Sequence, residues 1–185
     1  MEKTLFGFVS YKILNYVLEK YTTKKLAMNY TAMTHATSAS IVWLFGTPTT
    51  MICNSGGYFL FDMYYLFKNR EFNFMNLLYY YHHTAFLYYM SLSPVKYNWV
   101  NILGVGELSN IPNYIVYHYL KTDPGGEQLK KWKIVQKVWY GGHRIIVASI
   151  LTYYEVNHPE RFWKVLPVVP LYAFGLLWAG YMLKQ

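Results

Sequence analysis

A chain of 185 residues that is 21% aromatic and only 14% charged departs from ordinary soluble domains, where about a quarter of residues carry charge. Its net charge of +8 does not indicate a nucleic-acid partner, because the basic residues fall in separators between apolar stretches and form no basic face. Cys53 is the single cysteine, which excludes an intrachain disulfide.

The mean hydropathy of +0.08 is diluted by 21 tyrosines, whose rings suit membrane interfaces. Charge spacing is more telling. Only Asp62 interrupts the interval from Lys25 to Lys68, and no formal charge lies between Glu71 and Lys96. Only Glu107 falls between Lys96 and Lys121, only Arg144 between Lys137 and Glu155, and none between Lys164 and Lys184. Such gaps suit helices of about 20 residues, the length a bilayer requires. The expected fold is therefore an all-α polytopic transmembrane bundle of six spans, or seven if the N-terminus also crosses.

In residues 1–26, Lys12, Asn15 and Glu19 share a helical stripe, with Leu5, Val9, Ile13 and Tyr16 elsewhere. This predicts an interfacial amphipathic helix, with an extra span as the alternative. Lys12 and Glu19 also break the apolar core that a cleavable signal peptide needs. Residues 27–185 form the transmembrane domain, with spans predicted at 28–46, 51–67, 74–92, 97–120, 134–154 and 163–183. The separators are "GTP" at 46–48, "KNRE" at 68–71, "SPVK" at 93–96, "KTDPGGEQLKK" at 121–131 and "NHPER" at 157–161. Six spans put both termini on one side, together with most lysines, while Lys96, Arg161 and Lys164 face the other. The positive-inside rule makes the lysine-rich side cytosolic.

Ionisable groups at membrane depth mark sites by default. His35, Asp62, His82 and His83, Glu107 and Arg144 come from five different spans, mostly in the cytosolic half. Helical phase places Glu107, Asn110, Tyr114 and His118 on one face, and Ser55, Tyr58 and Asp62 on another. Thr31, His35 and Ser38 make a third stripe, and Tyr140, His143 and Arg144 a fourth. These stripes predict a polar pocket open to the cytosol. Each member also has a plainer reading: His35 as a packing group, Asp62 with Arg144 as a structural ion pair, Glu107 as a neutral buried acid. For His82 and His83 a site role is favoured, because adjacent helical positions point about 100° apart and packing needs only one of them. Metal is not expected, since six histidines with one adjacent pair cannot supply the several histidine boxes of a di-iron enzyme. A retinal-type Schiff base is not expected either, because Lys184 stands at the very end of the last span.

"NSGGYFLFDMYYL" (54–66), "LLYYYHHTAFLYY" (77–89), "GVGELSNIPNYIVYHYL" (104–120) and "YGGHRIIV" (140–147) together resemble the TLC-domain family, to which ceramide synthases belong. The resemblance extends from His35 to Arg144 and rests on the order and spacing of the segments. It implies a helical core around a lipid-accessible cavity in the endoplasmic reticulum, with both termini cytosolic. Membrane lipids and fatty acyl-CoA are the implied partners, acyl-CoA the implied co-substrate, and no covalently bound cofactor is implied. By position, His82 and His83 match the family's histidine pair, acting as base or acyl acceptor toward a thioester. Glu107 then orients or charges the imidazole, while His35, Tyr58, Asp62, Asn110, Tyr114 and Arg144 bind the substrate. Ceramide synthases carry two aspartates and a histidine in the fourth span, where this chain has "GELSN". That version is similar to non-synthase branches, so a non-catalytic lipid binder, sensor or transporter stands as the alternative. The oligomeric state, homo-oligomer included, is open.

Overall fold

The structure is a computed structural model, and it describes residues 2–69, 73–92 and 99–184. These fold as helical rods, with no strand among the described residues. Helix α1 (Glu2–Glu19) begins with an acidic residue against the positive end of its dipole. α2 (Lys24–Phe45) is started by Thr23, whose hydroxyl accepts the Leu26 N–H, and stops at Gly46. α3 opens with the turn Pro48–Met51, set by Pro48 in the first turn and by reciprocal Thr47–Thr50 capping. It continues through a π-helical turn, Ile52–Gly56, into Gly57–Lys68. α4 (Phe74–Met90) is capped by Asn73, whose side chain accepts the Asn76 N–H at 2.9 Å. α5 (Trp99–Thr122) carries Pro112 inside it and gives way to the turn at Asp123–Gly126, where the Gly126 N–H donates to the Asp123 carbonyl. α6 runs through Glu127–Gly141, a second π-helical turn Gly142–Val147, and Ala148–Val156. α7 comprises Pro159–Val165, a short 3₁₀ turn Leu166–Val168, and Val169–Lys184.

α2 packs along α5, α1 crosses α3 and α2, and α6 joins α5 to α7. Small residues permit the closest approaches. Ala27, Ala32, Ala36 and Ala39 form the inner side of α2, and Gly104 of α5 leaves room for the Trp43 indole, which a Cβ there would meet at 2.2 Å. Where α1 crosses α3, Gly7 and Gly57 bring the two backbones together: a Cβ on Gly57 would sit 2.6 Å from the Gly7 Cα. Trp99, Tyr89, Phe59, Phe61, Met51 and Leu103 are the largest apolar side chains fully buried in the core.

The expectation of a six-span transmembrane bundle is overturned: no helix among the described residues is long and apolar enough to cross a membrane. The reason lies in how length and polarity are distributed. α2, with 22 residues, and α5, with 24, are long enough, but α2 carries Lys24, Lys25, Asn29 and His35, and α5 carries Glu107, Asn110, Asn113 and His118. The most apolar helix, Val169–Lys184, has 16 residues, which is roughly 24 Å against a hydrocarbon core of about 30 Å. The predicted separator at 93–96, with Lys96, and half of that at 68–71 lie outside the described residues, as does the Arg161 side chain.

α1 differs from its predicted amphipathic orientation in an instructive way. Its buried face is Gly7, Tyr11 and Asn15, while Leu5, Phe6, Val9, Ile13, Tyr16 and Val17 point outward. Polar side chains turn inward because they find partners there. The Tyr11 hydroxyl donates to Asn54 Oδ1 at 2.5 Å, and Asn15 Nδ2 donates to Thr31 Oγ1 at 3.3 Å.

Substituting Gly57 by alanine is expected to separate α1 from α3 and lower stability by about 1–3 kcal/mol. Gly125→Ala, where a Cβ has nothing within 4 Å, is expected to stay within about 0.5 kcal/mol. Denaturant titration of both variants checks the pair, and equal midpoints would remove the glycine crossing as the docking constraint.

Candidate functional site

The centre of the bundle holds a polar cluster contributed by α2 through α6. The i, i+4 spacing of Tyr58 and Asp62 puts both on the inward face of α3, where both are buried. On α4, His83 points inward and is buried, while His82 is half-buried. His83 Nε2–H donates to Asp62 Oδ2 at 2.6 Å, and its Nδ1 is buried with no hydrogen-bond partner. A carboxylate on one ring nitrogen fixes the tautomer and leaves the lone pair on the other. The ring is held flat against Phe59, with centroids 4.7 Å apart, and meets the edge of Tyr58. The dyad is thus rigid and oriented.

A second imidazole lies on the other side of Tyr58. His35 is fully buried and stacks on that ring at 4.0 Å between centroids and 7° between planes. Its Nε2–H donates to Ser55 Oγ at 3.1 Å, and the Ser55 hydroxyl donates to Met51 Sδ. Its Nδ1, without a hydrogen bond, faces Glu107 Oε2 at 3.6 Å. Burial holds His35 well below the usual imidazole range, with the nearby His83 adding to the effect. Burial also pushes Glu107 up to about 7, against the opposing pull of Arg144, His83 and an Asn110 hydrogen bond. A neutral imidazole thus faces a carboxyl that keeps its own proton up to near neutrality.

Arg144 of α6 completes the layer. Its Nη2 donates to the Gly106 carbonyl and to Asn110 Oδ1, each at 3.3 Å, and its guanidinium lies 5.2 Å over the Tyr140 ring. Its Nε has no partner, and among the described residues no carboxylate forms an ion pair with it. Asp62 and Arg144 therefore do not pair: each sits on the opposite side of the cluster, Asp62 with His83 and Arg144 with α5. Glu107 lies beside His35, so the carboxylate that orients a histidine of the adjacent pair is Asp62. His82 contacts Phe86 and Phe59 edge-on and is held well below the usual range by burial, then by His83 and Arg144. The Tyr114 hydroxyl is held well above the phenol range by burial and by Glu107, and its carbonyl accepts the Asn29 side chain at 3.0 Å. His118 bonds Tyr30, and His143 bonds the Trp139 carbonyl, both away from the cluster.

Tyr11 is the residue that sequence reading missed. Its ring meets His35 and Tyr58 edge-on, and burial pushes its hydroxyl up to about 12. The Gly7–Tyr11–Asn15 spacing of four and four is the signal that marks its face. Both π-helical turns among the described residues also carry members of the layer, Asn54 and Ser55 in one and Arg144 in the other. Such turns widen the helix locally and re-aim side chains, often at functional sites.

Glu107 binds a proton more tightly folded than unfolded. Its contribution to stability is therefore full below about 4.5 and is lost as pH rises through about 7. Glu107→Gln removes that dependence, so the variant is expected to gain on wild type by roughly 2–3 kcal/mol between pH 5 and pH 8. Thermal melts at the two pH values check this, and parallel shifts of both proteins would contradict it.

Comparison with protein-family models, with characterised proteins and with solved structures gives no match for this chain.

Proposed function

We propose that this chain is a membrane-associated acyltransferase of lipid metabolism, similar to ceramide synthases in moving a fatty acyl group from acyl-CoA to a lipid amine. The observation that carries the reading is the 2.6 Å bond from His83 to Asp62 with His83 Nδ1 left free. In the reaction, Nδ1 takes the proton of the amine as its nitrogen attacks the thioester carbonyl. The carbon–sulfur bond then breaks, and His83 returns the proton to the departing CoA thiolate. Asp62 holds the ring in the tautomer this requires and stabilises the imidazolium that forms. Arg144, with an unpartnered Nε and no carboxylate against it among the described residues, offers its charge to an anionic part of the substrate. Exposed Lys121, Lys131 and Lys133 supply positive charge for the phosphates of CoA. The outward apolar face of α1 supports contact with lipid.

A second reading, a non-catalytic lipid binder or sensor, is favoured by one observation. His83 is 5% exposed and flanked by Phe59 and Tyr58, a closed setting suited to recognition.

Incubation with a long-chain acyl-CoA, followed by intact-protein mass spectrometry and assay of free CoA, separates the two. Wild type is expected to release CoA, and His83→Ala and Asp62→Asn to lose about a thousandfold or more of that rate, with His82→Ala losing less. Undiminished release in His83→Ala would overturn the dyad's role. No release by wild type that still co-purifies with lipid would leave the binder as the better account.

A further inference from the structure

The lysines that stand apart along the sequence, and form no basic face there, are brought together by the fold. α2 lies antiparallel to α5, since Asn29 and Tyr30 near its start meet Tyr114 and His118 near the end of α5. α6 turns back along α5, with Gln136 bonded to Asn113 and Arg144 to Gly106. α1 runs parallel to α3, Gly7 crossing Gly57 and Lys12 standing over the Tyr64 ring. One end of the bundle therefore collects the end of α1, the start of α2, the ends of α3 and α5, and the start of α6. Each brings exposed lysine to it: Lys20, then Lys24 and Lys25, Lys68, Lys121, and Lys131 with Lys133. Glu127 is engaged by Lys130 at 2.9 Å, which leaves Glu19 and Asp123 as the other carboxylates of this end among the described residues. Lys24 and Lys25 also occupy the first turn of α2, where no acidic residue stands and the helix dipole disfavours a cation.

The kind of anion that fits follows from what stands among these lysines. Tyr21 is 81% exposed, Phe74 70% and Ile134 65%. All three belong to the same end, Phe74 because α4 runs antiparallel to α3, with Tyr80 bonded to the Met63 carbonyl and His83 to Asp62. Lysine is a compact point charge, without the planar fork that grips a single phosphate, so a broad cluster of lysines suits a diffuse layer of negative charge. Exposed aromatic and aliphatic side chains beside it gain by leaving water for the headgroup boundary of a bilayer, and the backbone of a nucleic-acid duplex gives them no such place. We propose that this end of the bundle docks on an anionic lipid surface, its lysines against the headgroups and Tyr21, Phe74 and Ile134 entering the boundary beneath them. The proposal rests on the membrane association put forward above, for which it names the lipid charge and the face that meets it, and it is independent of acyl transfer.

The test is flotation of the full chain with vesicles of phosphatidylcholine alone or with about a third phosphatidylserine. Wild type is expected to partition about a hundredfold more strongly onto the anionic vesicles. That preference is expected to vanish in about 1 M salt, where the screening length falls to about 3 Å. At about fivefold per lysine, the triple variant Lys20→Gln, Lys24→Gln, Lys25→Gln is expected to lose about a hundredfold. Lys3→Gln, also exposed but about 25 Å along α1 from Lys20 at 1.5 Å per residue, is expected to stay within about twofold. Equal binding to phosphatidylcholine alone would overturn the proposal and leave membrane association in place. Binding to neither vesicle would overturn both, with acyl transfer still decided by release of CoA. Undiminished binding in the triple variant, an equal loss in Lys3→Gln, or tighter binding to duplex DNA than to the anionic vesicles would each overturn the proposal.

Discussion

The bond between Asp62 and His83 is the interaction on which the interior depends. A carboxylate and an imidazole are costly to bury singly, yet both lie among Tyr58, Phe59 and Phe61, away from water. Pairing answers part of that cost, and it dictates the geometry around it. α3 and α4 have to meet at one rotation, which brings Phe59 flat against the imidazole and Tyr58 against its edge. Tyr58, fixed on that side, is the plate on which His35 stacks from α2. His35 in turn faces Glu107 of α5. Rotation of one helix about its axis would break a chain of contacts that runs through four of them.

The two π-helical turns give this layer its reach. In a regular α-helix, each inward position is followed by the next one turn later. An inserted residue shifts that register, so that Asn54 and Ser55 address α1 and α2 while Asp62 addresses α4. In α6 the second turn carries Arg144 toward Gly106 and Asn110. Gly175 of α7 borders its side chain as well, 3.5 Å from a would-be Cβ. Gly106 and Gly175 thus leave room for an arginine side chain that Tyr140 and Asn110 flank.

Much of the helical layout is legible in the sequence. "GTP", "DPGG" and "NHP" mark real helix ends, because proline and glycine punctuate the backbone for local reasons. The stripes Ser55–Tyr58–Asp62 and Glu107–Asn110–Tyr114 can be read from spacing alone. Other features were not legible, for physical reasons. Membrane crossing was inferred from long intervals without charge, but Asn, Thr, Ser and Tyr populate those intervals and keep them from being apolar. Which helix faces which is a tertiary matter, so the sequence left an Asp62–Arg144 ion pair open as one reading, while the partner Asp62 finds is His83. α1 was read with its polar stripe outward, since nothing local to residues 1–26 announces that Tyr11 and Asn15 have partners at Asn54 and Thr31.

The crossing of α1 over α3 also bears on how the chain is made. Residues 2–19 leave the ribosome before the surface they dock on, from Cys53 to Gly57, which is some forty positions downstream. At a synthesis rate of about 5–20 residues per second, that helix waits for seconds with its glycine crossing unmade and both faces bare. Local contacts cannot shorten the delay, because the ones that hold it are distant in the chain. Helix α1 is thus made well before the surface that holds it, and is among the later segments to find its place.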